Sequence, residues 1–429
     1  MSVPKSQVSL LDRAQHVLPG GTFGNVEAEI IIREGRGSRV WDHDGKEYVD
    51  YLLGSGPMIV GHAHPDVTAA VQDQLTKGTT FFANNPQGIA LAEALVEAVP
   101  CADKVRFAST GSEADAFAIR LARAYRGRSK ILKFEGGYHG FSDYGLMSLA
   151  PRKLGNTFEP IPDSAGIPAT VREDILVAPF NDTQAVAGLI DEHKDDIAAV
   201  FMEPFQRLIP PQPGFLESMR ELTEKNDILL VFDEVVTGFR MAYGGAQEYY
   251  GVTPDLCTLG KAIGGGFPLS AVAGREEIMA LFDRDTTDDE HFVPQKGTLS
   301  GNPVAAVAGL ATLSILKRPG TYERYFEVGN RLIEALSERV ARAGFEAQVI
   351  GDGPMFDIVF AAGDIHNYRD TFRGDKAKMA RLNELLYRRG IMKSEAKYYL
   401  SVVHDEADIA FTIDAWDDAI TEMTANPTG

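Results

Sequence analysis

The chain has 429 residues, 44% of them hydrophobic, with 42 Lys and Arg against 61 Asp and Glu for a formal charge of −19. A chain of this size and composition buries a large core and has room for more than one domain. The acidic balance, with no block of Lys or Arg, excludes the electrostatic footprint of a nucleic-acid binder, and no apolar run approaches the roughly 18–20 residues that span a bilayer.

The opening stretch, Met1-Ser-Val-Pro-Lys-Ser-Gln-Val-Ser-Leu10, has no basic head, apolar core and small-residue cleavage site, so a cytoplasmic protein is expected. Residues 1–55 are expected to pack with a small C-terminal unit. From residue 56 to 315 short apolar runs alternate with helical patterns: Val105–Ala108, Ile131–Phe134, Ile175–Val177, Ala198–Met202, Ile228–Phe232, Leu256–Leu259 and Ala271–Ala273. Strands alternating with helices predict an α/β domain with a mostly parallel sheet covered on both faces. Residues 151–170 and 281–296 read as long loops. Beyond a helical pattern at Val304–Leu316 the character changes. Helices over Tyr322–Ala343 and Lys376–Arg389, with strands near Gln348–Ile350 and Phe356–Phe360, predict a smaller α+β unit over 316–429. The two cysteines, Cys101 and Cys257, are far apart and outside any CxxC spacing, which argues against a disulfide framework or a zinc site.

In a doubly covered parallel sheet, ligands sit beyond the carboxyl ends of the strands, and the polar punctuation falls at those ends. Asp233 closes the run Ile228–Phe232, and Lys261 follows Leu256–Leu259 and a glycine. A carboxylate that protonates a pyridine nitrogen and a lysine that forms a Schiff base are the two parts a pyridoxal phosphate enzyme cannot lack. Either residue alone also suits an ordinary surface position. Thr110-Gly-Ser112 precedes an amphipathic helix, where free N–H groups and a close-approach glycine make an anion site; the same letters suit a plain N-cap with Glu113 in the first turn. Tyr138 follows two glycines and offers a ring to stack on a planar cofactor, or to pack in a core. Neither His139 nor the pair His62 and His64 has the spacing of a metal motif, and no metal is expected.

The ordered set Ser109-Thr-Gly-Ser-Glu113, Gly136-Gly-Tyr-His-Gly140, Glu203-Pro204, Asp233-Glu-Val-Val-Thr-Gly-Phe-Arg240, Thr258-Leu-Gly-Lys-Ala-Ile-Gly-Gly-Gly266 and Gly297-Thr-Leu-Ser-Gly-Asn-Pro303 resembles the class III aminotransferases of PLP fold type I. Pro19-Gly-Gly21 and Gly56-Pro-Met-Ile-Val-Gly-His62 add a likeness to the glutamate-1-semialdehyde aminomutase branch, and the match runs from about residue 12 to 420. The resemblance implies pyridoxal 5′-phosphate as cofactor, with Lys261 as the Schiff-base lysine and Asp233 against the pyridinium nitrogen. It further implies Thr110, Gly111 and Ser112 at the phosphate, Tyr138 and Val235 on the two ring faces, and Glu203 as support. Thr298 would reach the phosphate of a neighbouring subunit, in a homodimer with shared sites. The implied reaction is a ping-pong transamination between small amine and carbonyl compounds.

Three positions depart from the aminomutase pattern. Glu27 stands where that branch has an arginine for a substrate carboxylate, and an acid cannot clamp a carboxylate. Ser55 replaces a tryptophan, and Lys393–Tyr399 is shorter than its counterpart, with Glu395 near the place where a β-amino-acid aminotransferase relative carries arginine. These differences favour a transaminase with a roomy pocket for an amine, amino acid or amino-sugar-like donor and a keto acid or aldehyde acceptor. The alternatives are glutamate-1-semialdehyde 2,1-aminomutase and a catalytically idle PLP-fold binding protein; a decarboxylase or racemase would share the same core residues. Arg240 is either an anchor for the acceptor carboxylate or a loop holder through an ion pair. A nucleotide-binding oxidoreductase is disfavoured because no GxGxxG stands at a first strand–helix turn.

Overall fold

The structure is a computed structural model that describes residues 5–25 and 30–426. Near the N-terminus β1 (Ile32–Arg36), β2 (Arg39–Asp42) and β3 (Glu47–Asp50) form an antiparallel meander. The apolar runs of the middle region then become β4 (Lys104–Ala108), β5 (Lys130–Phe134), β6 (Ile175–Ala178), β7 (Ile197–Met202), β8 (Leu229–Glu234), β9 (Leu256–Leu259) and β10 (Ser270–Gly274). These seven make one sheet in the order β4-β10-β9-β8-β7-β5-β6. Only β10 runs against its neighbours. Every residue of β7 and β8 is buried. That follows from helices covering both faces, which selects continuous Val, Ile, Leu and Phe rather than alternation.

Local chemistry sets where those helices begin. Asn85 and Asn302 each precede a proline and accept an N–H of the first turn, so Pro86–Ala98 and Pro303–Leu316 start with a side-chain cap and a pre-set φ. The helix Pro303–Leu316 is buried along most of its length, because it packs against the helices Pro65–Leu75 and Pro86–Ala98 and against the turn Lys261–Gly264.

The C-terminal region supplies β11 (Gln348–Asp352), β12 (Met355–Val359), β13 (Ile391–Met392) and β14 (Tyr398–Tyr399), with helices Thr321–Arg342, Lys376–Arg388 and Glu406–Ala425. Strand β13 pairs in parallel with β3, Ile391 opposite Val49, so the N-terminal meander is joined edge-on to the C-terminal part. β11, β12 and β14 form a third sheet. Two features were not visible in the sequence. The free thiols of Cys101 and Cys257 are both buried and lie side by side. His62 binds Asp50 at 2.7 Å, while His64 caps the helix Pro65–Leu75. No helix among the described residues is long and apolar enough to cross a membrane.

Candidate functional site

The parallel strands β7, β8 and β9 end on one side of the sheet and deliver Glu203, Asp233 and Lys261 to one cavity of about 330 Å3. Thr110, Gly111, Ser112, Asp115, Tyr138 and Val235 are also part of its wall. Residues as far apart as Thr110 and Lys261 thus meet, most of them because they follow or close a strand of the same sheet.

Lys261 opens a short 3-10 turn with φ +46°, in the left-handed region. A non-glycine residue held there costs about 1–3 kcal/mol and persists only where its surroundings impose it. Burial pushes its amine below the ordinary lysine range, and Tyr399 and Asp233 act against that shift. Asp233 is buried at the cavity floor. Its Oδ1 accepts the Val235 N–H at 3.1 Å, and its Oδ2 lies 2.8 Å from Nδ1 of His139. Burial pushes the Asp233 carboxyl up to about 6. His139 is held neutral by burial and by the nearby Lys133 charge, so its ring serves Asp233 as an N–H donor.

Asp115 was not singled out in the sequence, although it lies one turn after Gly111 and so on the same helix face. Its Oδ1 accepts the Thr258 hydroxyl at 2.7 Å, and that hydroxyl is 3.4 Å from Oδ1 of Asp233. Burial, then the Asp233 charge, push Asp115 well above the usual carboxylate range. Two buried carboxyls bridged by one hydroxyl resist double ionisation.

At the other end of the cavity the helix Gly111–Arg126 starts with a capping box. Thr110 Oγ1 accepts the Glu113 N–H at 3.2 Å, and the Glu113 carboxylate accepts the N–H groups of Ser109 and Thr110. The plain N-cap and the anion site therefore coexist. The Thr110 hydroxyl is engaged in the cap, whereas the N–H groups of Gly111 and Ser112 have no protein acceptor among the described residues. Gly140 lies so close that a Cβ there would sit 2.5 Å from Cα of Ser112. Tyr138 is held by its own N–H, which donates to Glu203 Oε2 at 3.0 Å. Val235 packs against Gly111 and Gly260, where an added Cβ would meet it at 3.1 Å in each case.

This donor set fits pyridoxal 5′-phosphate. Two free N–H groups at a helix start suit its phosphate, the Lys261 amine suits its aldehyde, and a buried carboxyl that resists ionisation suits a protonated ring nitrogen that would restore its charge.

The remaining expected residues are elsewhere. Ser55 and Glu395 line an adjoining cavity of about 630 Å3, together with Arg207, Lys397 and Tyr399, none of which the sequence had placed there. Thr298 is exposed on the turn after Gly297, away from the Lys261 cavity of its own chain. Glu27 lies outside the described residues. Arg240 differs from both readings of it. It is fully buried and donates to the carbonyl oxygens of Gly56, Val236 and Leu400 and to the Tyr325 hydroxyl, with no carboxylate partner among the described residues. It is a loop holder, through three carbonyls and a hydroxyl rather than an ion pair, and four of its five N–H donors are engaged.

A sequence model of the aminotransferase class-III family matches residues 23–393. The chain belongs to the class III aminotransferase family. This class III aminotransferase is similar over its whole length to solved structures. An omega-transaminase from Sphaerobacter thermophilus is 37% identical over 97% of each chain, with a TM-score of 0.92. A transaminase with PLP bound is 30% identical over 100% of each, at 0.91. A β-phenylalanine aminotransferase from Variovorax paradoxus is 31% identical over 99% of this chain and 95% of its own, at 0.88. The protein is thus an enzyme of nitrogenous-group transfer with the PLP fold type I, and pyridoxal 5′-phosphate is the cofactor of its class.

Proposed function

We propose that this aminotransferase moves an amino group from an amine, amino acid or amino-sugar-like donor to a keto acid or aldehyde, by a ping-pong sequence in which the first product leaves before the second substrate enters. The observation that carries this reading is the placement of the Lys261 amine and the buried Asp233 carboxyl on one cavity, with the free N–H groups of Gly111 and Ser112 across it.

Pyridoxal 5′-phosphate, when bound, supplies an aldehyde that condenses with amines and a ring that accepts the electrons left on the substrate carbon. Asp233 holds the proton on the ring nitrogen, and His139 orients Asp233 through its Nδ1–H. Gly111 and Ser112 bind the phosphate, with Thr110 fixing the helix start. Tyr138 and Val235 clamp the ring faces, and Glu203 fixes the Tyr138 backbone. The Lys261 amine, its basicity lowered by burial, would take the proton from the substrate carbon beside the nitrogen and deliver it to the carbon on the far side of that nitrogen. Thr298 completes the phosphate site of a second subunit in a homodimer. Exposed Phe81, Phe82, Ile89 and Leu299 support that reading, since Phe82 and Ile89 line a cavity together with Gly297, Ser300 and Gly301, next to Phe81 and Leu299 in sequence, and exposed apolar side chains gathered in one region mark association surfaces.

The test is a half-reaction. The purified protein is loaded with cofactor, and amines, amino acids and amino sugars are added singly while the visible band is followed. Loss of that band with release of a carbonyl product supports a transaminase and reveals its donor class. Absence of any band, with no Lys261 adduct trapped by borohydride, overturns the reading; efficient turnover of glutamate-1-semialdehyde would instead move the enzyme to the aminomutases.

A further inference from the structure

Asp115, Thr258 and Asp233 come from three elements, the helix Gly111–Arg126, β9 and β8, and are 2%, 0% and 4% exposed. Thr258 Oγ1 lies 2.7 Å from Asp115 Oδ1 and 3.4 Å from Asp233 Oδ1. A hydroxyl has one hydrogen to give. With both carboxyls ionised, one of the two contacts would set lone pair against lone pair between buried groups, which is costly at low local dielectric. The three side chains therefore share a second hydrogen, and it sits on one of the carboxyls.

The other partners decide which one. Asp233 accepts two N–H groups, from Val235 at Oδ1 and from His139 at Oδ2, and hydrogen bonds to the charged form favour that form. No N–H of the described residues donates to the Asp115 carboxyl, whose hydrogen-bond partner is Thr258. Asp115 also stands beyond the first turn of its helix, past the N–H groups where a helix start favours an anion. The charges that face the two carboxyls are Lys261 after β9, Glu203 after β7 and, for Asp233, Lys133 of β5. Neither carboxyl forms an ion pair with a lysine or arginine among the described residues. β10 brings no charge; Arg106 of β4 turns to Gln295, Lys104 pairs with Glu276, and Arg275 pairs with Glu277.

We propose that Asp115 is a positioning residue of the cofactor site: a neutral acid that donates to the Thr258 hydroxyl, which donates in turn to Asp233 and keeps Asp233 the ionised member of the pair. With the proton on Asp115, the 2.7 Å contact is donated by the acid and the 3.4 Å contact by Thr258. Asp233 thereby gains a third donor without a second negative charge beside it. A phosphate seated on the N–H groups of Gly111 and Ser112 would add negative charge at the start of the same helix, which disfavours an anion at Asp115 further. This inference rests on the placement of Asp233 against the ring nitrogen in the reading above, and it adds a residue that acts through Asp233 rather than on the substrate.

Infrared difference spectra test it without turnover. Wild type at pH 7.5, with and without cofactor, should show the carbonyl stretch of a protonated carboxyl that shifts in D2O, is lost in Asp115→Asn and is kept in Asp233→Asn. The pH at which Asp233 ionises in the cofactor-free protein, read from the carboxylate stretch missing in Asp233→Asn, should hold in Asp115→Asn, which puts an N–H donor where the O–H was. Removing an anion from that position would instead lower it by about one unit or more. The functional readout is the rate of cofactor-band loss in single turnover with an amine donor. Asp115→Val, which has no donor, should slow it roughly 10- to 100-fold, and Asp115→Asn by less. In Asp233→Asn protein the same Asp115→Val change should add little, whereas a role in packing the helix alone would cost as much in either background. Asp115→Asn is isosteric and carries the infrared test should Asp115→Val fail to fold. No protonated band lost in Asp115→Asn, or a full Asp115→Val effect in the Asp233→Asn background, overturns the proposal and leaves the transaminase standing. The Asp115 band present in a protein whose cofactor band no donor changes would keep the neutral acid and sink the transaminase reading.

Discussion

Asp233 shows how a single residue is made functional by its surroundings. In water its carboxyl would ionise below pH 4; at the end of β8, burial moves it to about 6, and His139 and the Val235 N–H hold its two oxygens. Asp233→Asn keeps the shape and removes the charge, so turnover should fall roughly 10²–10⁴-fold while cofactor affinity falls far less, as single-turnover rates and cofactor titration would show. The raised value also fixes a sign. Between pH 4 and 6 the folded protein without cofactor binds more protons than the unfolded chain, so this group's contribution to stability declines as pH rises through that window and stays low above it. Cofactor-free Asp233→Asn should therefore gain on the wild type by on the order of 1 kcal/mol between pH 5 and 7.5 in urea melts; no gain would mean that Asp233 is ionised without penalty. At this scale the sequence singled out Lys261 and Asp233, which the structure brings to one cavity, but not Asp115, Arg207 or Tyr399. The first two close or follow strands in a recognisable order, whereas the others meet the site only through helix facing, a strained backbone and a tight turn.

Among the elements, the turn between β13 and β14 shapes the substrate side of the cavity and depends on a buried ion pair. Lys393 and Asp357 are 3% and 2% exposed and 2.8 Å apart, which ties the turn to the middle of β12. Lys393→Met leaves a buried carboxylate alone and should cost about 3–5 kcal/mol in denaturant unfolding. The double variant Lys393→Met, Asp357→Leu should recover most of that loss, because the paired charges have already given up their hydration. The helix Gly111–Arg126 depends in the same way on its capping box. Thr110→Ala should lower stability by about 1 kcal/mol and loosen cofactor retention, measured by melting and by dialysis, because the N–H groups of Gly111 and Ser112 are aimed by that first turn. The helices over Val304–Leu316, Tyr322–Ala343 and Lys376–Arg389 were legible from their apolar spacing, to within a residue or so of the observed ends, whereas Pro65–Leu75, Pro86–Ala98 and Glu406–Ala425 were not singled out. The seven strands of the large sheet were legible as short apolar runs, most of them buried throughout. The pairing of β13 with β3 was not, because two residues carry no periodicity.

For the whole molecule, the exposed position of Thr298 and of the apolar residues Phe81, Phe82, Ile89 and Leu299 leads to one expectation. Light scattering should give twice 46.7 kDa, and dilution to monomer should abolish activity and release cofactor together; an active monomer would remove Thr298 from the site. The amino-acid sequence by itself determined the alternation of strands and helices, the mostly parallel sheet and the ordered motifs that mark a class III aminotransferase, because burial on both faces and strand-end chemistry act over a few neighbouring residues. Only the tertiary structure decided that Arg240 holds carbonyls rather than a carboxylate, that Asp115 joins Asp233 through Thr258, and that Arg207 and Lys397 face one chamber. Those outcomes depend on which groups reach one another across the sheet and between the two ends of the chain, and on how far burial strips them of water, neither of which is written in any local stretch of residues.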